Sequence, residues 1–368
     1  MKVASRRIGT AVVAAALLFT GCSDGTGPGE PFDPARAESD LTVLGTLFES
    51  DALAAFNDLS VYFNIDGGAP LAAISSARAM TTAGNTSPAT ARRMAMAASG
   101  ALSLSTYGSG GPSLQSLPPE VLGTTFVFDT LTDTYVESDR TGAPASGVRF
   151  IVYAIDPFDG PIVDQEVGYA DLIDTSPGSQ LSVGMRLLLV SGATTYLDYA
   201  FTATPTQSSI LIGVDGYLSD GTTKLNFSVD TDLLFTEEEL GIDVDFSFGI
   251  PSRQFSTAGS FEVTSSETAS LLEIDLTIMS GGTKIRYDVV EDANSETING
   301  TVYVNNAIFA TISGDAADPV VAGAGGAELT AEETVALVEM LELAEACLEF
   351  FFDLLQPAAN ATGGAFLP

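Results

Sequence analysis

Apolar and polar residues alternate along the chain between Val121 and Gly314, and Gly, Pro, Asn and Asp interrupt the alternation at intervals of roughly 8–15 residues. In the stretch 241–250, GIDVDFSFGI, the two faces separate cleanly: Ile242, Val244, Phe246, Phe248 and Ile250 on one, Asp243, Asp245 and Ser247 on the other. The stretch LLEIDLTIM repeats the pattern. Period two with one apolar face is typical of antiparallel strands buried on one side, and the region predicts about fourteen of them.

Two segments outside this region follow the helical period. Residues 38–63 predict a helix with Ser39 as its N-cap. A second helix is predicted near the C-terminus, where Thr330 and Glu333 form a capping box and Pro357 ends the helix. Its apolar positions cover roughly half of the circumference, wider than a typical surface helix, and Cys347 falls among them as a small buried side chain.

These elements predict a mainly β (α+β) fold. We expect a large antiparallel meander that forms a curved sheet or partly closed barrel, packed on the long C-terminal amphipathic helix, with an N-terminal helical segment. Strands that cross a membrane share the same period, and the wide-faced helix argues against that alternative. The segments expected along the chain are a signal peptide at 1–21, a tether at 22–37, a helical Ala/Ser-rich segment at 38–119, the meander at 120–315, and a Gly/Ala linker with the C-terminal helix at 316–368.

The first residues have the composition of an export signal: Lys2, Arg6 and Arg7 precede a short apolar run that ends near Cys22. Residues 18–22, LFTGC, resemble the lipobox of bacterial lipoproteins, with Phe19 where Leu is usual. The resemblance implies that Cys22 is diacylated and becomes the new N-terminus, with Ser23 favouring delivery to the outer membrane. The alternative is an ordinary secretion signal with an incidental cysteine. The Gly/Pro-rich segment that follows would act as a flexible tether.

Charge restricts the partners. The chain carries a net charge of −34, and loss of residues 1–21 would remove three basic residues and no acidic one, giving −37. Such a charge repels nucleic acid and anionic lipid headgroups. Residues 67–119 differ, because they contain no Asp or Glu but include Arg78, Arg92 and Arg93. These arginines either belong to a plain Ala/Ser/Gly-rich excursion or contact an acidic surface of the protein itself or of a partner.

Catalytic chemistry finds little support in the sequence. The chain has no histidine, which excludes Ser-His-Asp and Cys-His catalysis and His-containing zinc sites. No phosphate-binding Gly-Lys-Ser/Thr motif occurs. Loops 156–164 and 291–300 offer Asp and Asn oxygens for calcium, but turn formation is the simpler interpretation. We therefore expect no enzyme, no cofactor and no metal.

Two functions remain, with a hydrolase that uses carboxylates alone as a third. The first is a lipid-anchored envelope protein that binds a lipid or other hydrophobic ligand in the concave face of its sheet, resembling in outline the half-barrel of bacterial lipoprotein carriers. Its candidate ligand face consists of Val244, Phe246, Phe248, Leu272, Ile274 and Leu276. The second is a structural or interaction lipoprotein that recognises an envelope protein, with Arg78, Arg92 and Arg93 as candidate contacts.

Overall fold

The computed structural model describes residues 31–48, 50, 56, 117–156, 160–177, 182–206, 208–235, 240–265, 270–292, 294–316 and 318–361. In the described part of the chain, two α-helices, α1 (Pro34–Phe48) and α2 (Ala331–Ala361), flank fifteen strands. The strands are β1 (Thr125–Asp129), β2 (Thr134–Ser138), β3 (Gly147–Asp156), β4 (Gly160–Asp174), β5 (Val183–Ser191), β6 (Thr194–Pro205), β7 (Ser209–Ser219), β8 (Lys224–Phe235), β9 (Leu240–Ile250), β10 (Phe255–Ser265), β11 (Ser270–Ser280), β12 (Thr283–Asp292), β13 (Thr297–Val304), β14 (Ala307–Asp315) and β15 (Asp318–Gly323).

All fifteen strands form one sheet that is not closed. From β3 to β15 each strand pairs antiparallel with the next one in the chain, so the predicted mainly β meander is confirmed. The sheet is nevertheless mixed, because β1 pairs with β3 in parallel and β2 lies outside β1 at the edge. The β1–β2 hairpin therefore joins the sheet through β1. Alternation within a strand does not determine the order of the strands in the sheet, so the sequence could not predict this pairing.

The two faces of the sheet differ as the period-two pattern predicts. Along β9 the five apolar side chains are buried, whereas Asp243, Asp245 and Ser247 are exposed. The same alternation continues on β8, β10, β11 and β12. We call the buried side, which packs against α1 and α2, the inner face, and the opposite side the outer face.

Helix α2 runs across the strands of the inner face. Near its start, the Tyr287 hydroxyl of β12 donates a hydrogen bond of 2.9 Å to the Leu337 carbonyl, and near its end the Tyr199 hydroxyl of β6 donates to the Leu354 carbonyl. Seventeen helical residues span about 26 Å, and six strand spacings about 29 Å, so the helix axis crosses β6 to β12. The side chains it buries are Ala336, Leu337, Met340, Leu343, Cys347, Phe350, Phe351 and Leu354.

The ends of α2 agree only in part with the sequence pattern. The capping box is confirmed: the Glu333 amide donates to Thr330 Oγ1 at 3.1 Å, and the Thr330 amide donates to Glu333 Oε2 at 2.8 Å. The predicted stop at Pro357 is wrong, because the helix continues to Ala361. A proline inside a helix removes one backbone hydrogen bond, and this helix continues despite that loss.

Helix α1 begins earlier than predicted. Its first residue is Pro34, and Asp33 Oδ1 accepts a hydrogen bond of 3.1 Å from the Arg36 amide. Asp33 thus performs the capping role assigned to Ser39, which lies inside the helix; Pro in the first turn is well suited to such a start. The predicted tether therefore overlaps α1. Of residues 49–63, only 50 and 56 are described.

Strand β15 lies where the sequence predicted a linker. It pairs with β14 through Asp315 and Asp318, Gly314 and Pro319, and onwards to Ala310 and Gly323. Its short length, its proline and the Gly/Ala-rich stretch 322–327 at its end conceal the strand signal. Proline is tolerated at the edge of a sheet, where one side of the strand has no neighbour to receive an N–H.

Candidate functional site

The structure brings the six predicted ligand-face residues together on the inner face. Val244, Phe246, Phe248 and Leu276 are buried, while Leu272 and Ile274 are partly buried against the same core. They belong to β9 and β11, which are separated by β10. All six therefore form one apolar surface, although the strands that carry them are not neighbours.

Strand β10 completes this surface with residues that the sequence pattern did not single out. Phe261 stacks on Phe246 with ring centroids 5.1 Å apart. Gly259 pairs with Phe246 and Leu276, and a Cβ there would lie 2.3 Å from the Asp275 carbonyl and 3.1 Å from Phe246 Cζ. The absence of a side chain at Gly259 thus leaves the space that the Phe246 ring occupies. The small residues of β10 weakened its alternation signal.

Both helices cover the inner face. Phe350 of α2 stacks on Phe48 of α1 at 4.5 Å and meets Phe227 and Phe248 edge-on at 5.3 and 5.9 Å. Phe48 also meets Phe248 edge-on at 5.8 Å. The candidate ligand face is therefore part of the protein core in this state, and a ligand reaches it only where a helix moves aside.

Helix α1 is fastened to the sheet by a polar cluster that we call the latch, formed by Asp40, Arg253 and Ser280. Asp40 is 1% exposed. Its Oδ1 accepts a hydrogen bond of 2.7 Å from Arg253 Nε, and its Oδ2 accepts one of 2.6 Å from the Ser280 hydroxyl. Arg253 Nη2 also donates to Ser39 Oγ at 2.8 Å. Charge-assisted bonds of this kind are the stronger hydrogen bonds of proteins.

A second arginine lies beside the latch. Arg36 Nε is 3.9 Å from Asp40 Oδ2, and Arg36 Nη2 donates to the Arg253 carbonyl at 3.2 Å. Its side chain packs on Gly281, where a Cβ would come within 2.2 Å of Arg36 Nε. The Asp40 carboxylate therefore has two guanidinium groups and one hydroxyl around it.

The sequence contained a signal for the latch. The buried positions of α1 are Ala37, Asp40, Leu44 and Leu47, a helical stripe with one acid in it. Lys, Glu, Arg and Asp are almost never fully buried unless paired, so an acid in an apolar stripe indicates a partner. The partner itself, Arg253, is 213 residues away and could not be read from the stripe.

The inner face also contains a buried hydroxyl without a hydrogen-bond partner among the described residues. Thr257 Oγ1 of β10 has none, and the residue is 1% exposed. Thr257 pairs with Phe248 of β9 and Ile278 of β11. Buried polar groups in proteins are nearly always hydrogen-bonded, so Thr257 offers a polar contact within an apolar surface.

The outer face aligns acids in rows across the strands. Asp232, Asp243, Glu262 and Glu273 lie directly opposite one another on β8 to β11. A second row is assembled in the same way, and its acids are Asp230 paired with Asp245 and Asp275 paired with Asp288. Like charges directly opposite each other destabilise a sheet, so this face favours a cationic environment.

The acid rows change proton affinity. Partial burial, with the charges of Asp245, Glu262 and Asp232, raises the pKa of Asp243. The same causes act on Asp230, whose pKa is raised by burial and by Asp245 and Asp215. At Asp275 the causes oppose one another: burial and Asp288 raise its pKa, while Arg286 and Lys284 oppose the rise.

Several predicted residues lie outside the described part of the chain: Cys22, Arg78, Arg92 and Arg93, with the whole signal-like stretch. Loop 156–164 is described only in part. In loop 291–300, Asp292 Oδ1 accepts a hydrogen bond of 2.9 Å from the Asn294 amide, as in an Asx turn.

Features for chemistry are few in the described ranges. No group of three or more acidic or thiol side chains there is arranged to hold a metal ion. Neither α1 nor α2, as far as they are described, combines the length and apolarity that a membrane span requires. Cys347 is buried, as predicted, and burial raises the pKa of its thiol well above the usual value, so it is not a reactive nucleophile.

Comparison of the chain with protein-family models, with curated proteins and with solved structures finds no match.

Proposed function

We propose that this chain is a lipid-anchored, non-enzymatic protein of the bacterial cell envelope, held at the outer membrane through Cys22, that binds a lipid or other hydrophobic ligand on the inner face of its sheet. A sheet that curves around α2 is in keeping with the twist of antiparallel sheets. The observation that carries the proposal is the inner face itself: an apolar surface across β8 to β12 that includes two buried hydroxyls, those of Thr231 and Thr257, with no hydrogen-bond partner among the described residues.

The two helices differ in how firmly they hold that surface. Among the side chains that the structure describes, α2 buries eight, including two phenylalanines, whereas α1 buries Ala37, Leu44 and Leu47 besides Asp40 and packs Leu41, Val43 and Phe48 partly buried against the core. Burial of Leu44 and Leu47 is worth about 3–6 kcal/mol at about 1.5–3 kcal/mol each. A ligand with about fifteen methylene groups gains about 12 kcal/mol on burial. Phe48 and the latch add to what holds α1, and the burial of an acyl chain offsets this loss in the proposed exchange, in which α1 leaves and α2 stays in place.

The test is native mass spectrometry with solvent extraction of the full chain, purified from a bacterial envelope in mild detergent. A stoichiometric lipid released by solvent supports the proposal. Thr257→Val, which removes the hydroxyl at nearly constant volume, should weaken retention of the lipid, whereas the matched outer-face change Thr301→Val should not. An empty protein that takes up no added fluorescent fatty acid contradicts ligand binding.

The anchor has its own test. Labelling cells with radioactive palmitate should mark the wild-type chain and leave Cys22→Ala unmarked. A Cys22→Ala chain that still takes up the label, or still sediments with the outer membrane after detergent-free lysis, contradicts a lipid at this cysteine.

The outer face favours a second candidate function, recognition of a basic envelope protein. Four acids in one row, without a described cation opposite them, gain from a positively charged partner. A photo-crosslinking residue at Ser247 should then capture one defined protein, and Asp243→Lys with Asp245→Lys should abolish capture while the unfolding midpoint is retained. Replacement of Arg78, Arg92 and Arg93 tests whether contact is made through that segment instead.

A further inference from the structure

We infer that the latch is a carboxylate-binding site occupied by the protein's own Asp40, and that a long-chain carboxylate takes the place of Asp40 when it binds on the inner face. The inference rests on the proposed function and names its ligand class: an amphiphile with an apolar chain and a carboxylate head, such as a fatty acid. Asp40 then acts as an internal competitor that keeps α1 in place while the ligand is absent.

The contacts around Asp40 are those that a free carboxylate needs. Each oxygen has its own donor, Arg253 Nε for Oδ1 at 2.7 Å and the Ser280 hydroxyl for Oδ2 at 2.6 Å. Arg36 adds a second positive charge 3.9 Å from Oδ2. Arg36 belongs to α1 and leaves with it, but Arg253 and Ser280 do not, so another carboxylate can use these two donors in the same way.

The site lies at the end of the apolar surface. Ser280 is the last residue of β11 and pairs with Phe255, the first residue of β10. Further along the same two strands, the inner-face pairs are Thr257 with Ile278, Gly259 with Leu276, Phe261 with Ile274 and Val263 with Leu272. A carboxylate held by Arg253 and Ser280 thus places its chain at this end of β10 and β11, beside Ile278 and the Thr257 hydroxyl, in the space that α1 occupies when no ligand is bound.

The polarity of the latch favours exchange. A buried ion pair contributes little to stability compared with an apolar residue of similar size, yet α1 places Asp40 in its apolar stripe. Arg253 is 32% exposed even with α1 in place, so its guanidinium remains hydrated when α1 leaves. The latch therefore holds α1 in a specific position, and a competing anion can replace Asp40 in its contacts with Arg253 and Ser280.

The test compares two fluorescent probes, cis-parinaric acid and its methyl ester, on the full chain. The wild type should bind the acid at least ten-fold more tightly than the ester. Arg253→Gln should remove this preference while binding of the ester is retained. Asp40→Asn, which keeps the shape of the side chain but removes the competing charge, should tighten binding of the acid about ten-fold. Arg140→Gln, at an exposed arginine paired with Glu166, is the matched control and should change neither probe.

A milder variant and a hydrogen-exchange measurement test the same inference in case Asp40→Asn or Arg253→Gln folds poorly. Ser39→Ala removes only one bond to Arg253, and it should shift acid binding in the same direction as Asp40→Asn by a smaller factor. In hydrogen exchange, addition of the acid should speed exchange of the α1 amides in the wild type, and the ester should do so less.

The outcomes separate the two proposals. Equal binding of acid and ester in the wild type, unchanged by Arg253→Gln, overturns the carboxylate site and leaves hydrophobic ligand binding standing. Failure of both probes to bind the wild type and Asp40→Asn contradicts the proposed function as well.

Discussion

Phe350 is the side chain at which both helices and the sheet meet, and we expect Phe350→Ala to be among the most destabilising single substitutions in the described core. The ring is 3% exposed. Removal of a buried phenylalanine costs about 3–5 kcal/mol through lost burial and the cavity that remains. Three ring contacts converge on Phe350, at 4.5 Å from Phe48, 5.3 Å from Phe227 and 5.9 Å from Phe248, which places the expected loss in the upper part of that range.

The assay is urea unfolding followed by circular dichroism. Phe350→Ala should lower the unfolding midpoint without changing the slope, which scales with the surface exposed on unfolding. Ile308→Ala is the matched control, because Ile308 is 57% exposed and surface changes usually stay within about 0.5 kcal/mol. A double-mutant cycle with Phe48→Ala should give a coupling of about 0.5–1.5 kcal/mol, the range for aromatic pairs.

A loss below about 1 kcal/mol for Phe350→Ala would contradict the central packing of this ring, because removal of a buried phenylalanine side chain costs about 3–5 kcal/mol. A coupling near zero between Phe48 and Phe350 would show that α1 and α2 do not touch in solution, and the argument that α1 covers the inner face would fail with it.

Three further predictions concern charges and helix ends. Asp243→Asn should raise the free energy of unfolding at pH 7 by up to about 1 kcal/mol. Because the pKa of Asp243 is raised in the fold, its charged form is disfavoured there, so the gain should shrink as pH falls through that pKa. A gain that persists at pH 3 contradicts the raised pKa of Asp243. Asp171→Ala should cost about 3–5 kcal/mol, because it leaves the partly buried Arg149, bound at 2.7 Å, without its ion pair; a urea midpoint unchanged from wild type contradicts this. Thr330→Ala should cost about 1 kcal/mol through loss of the N-cap of α2, measured by the same assay, with the exposed Thr222→Ala as its control.

The local patterns of the sequence were reliable where they depend on neighbours along the chain. Alternation at 241–250 assigned the faces of β9 correctly, and the spacing of Thr330 and Glu333 identified the cap of α2. Helix ends were less well predicted: Asp33 and not Ser39 caps α1, and α2 passes through Pro357. Several nearby residues can each cap or end a helix, so packing against the rest of the protein decides at which residue the helix begins or ends.

Only part of the candidate site could be predicted from the sequence. The apolar face of β9 and β11 follows from alternation, but its completion by Phe261 and Gly259 of β10 depends on which strands become neighbours. The acid rows of the outer face likewise arise from register: Asp243 and Asp232 are only eleven residues apart, whereas Glu273 joins them across two further strands.

Residue type and spacings of two to four residues were enough to predict the strand period, the exposed and buried faces of β9 and β11, the cap of α2 and the exclusion of histidine chemistry. The parallel β1–β3 pairing, strand β15, the covering of the inner face by α1, and the contact of Asp40 with Arg253 and Ser280 became visible in the folded chain alone. These contacts join parts of the chain that are distant in sequence, and they are selected by register and by the need of a buried carboxylate for a partner.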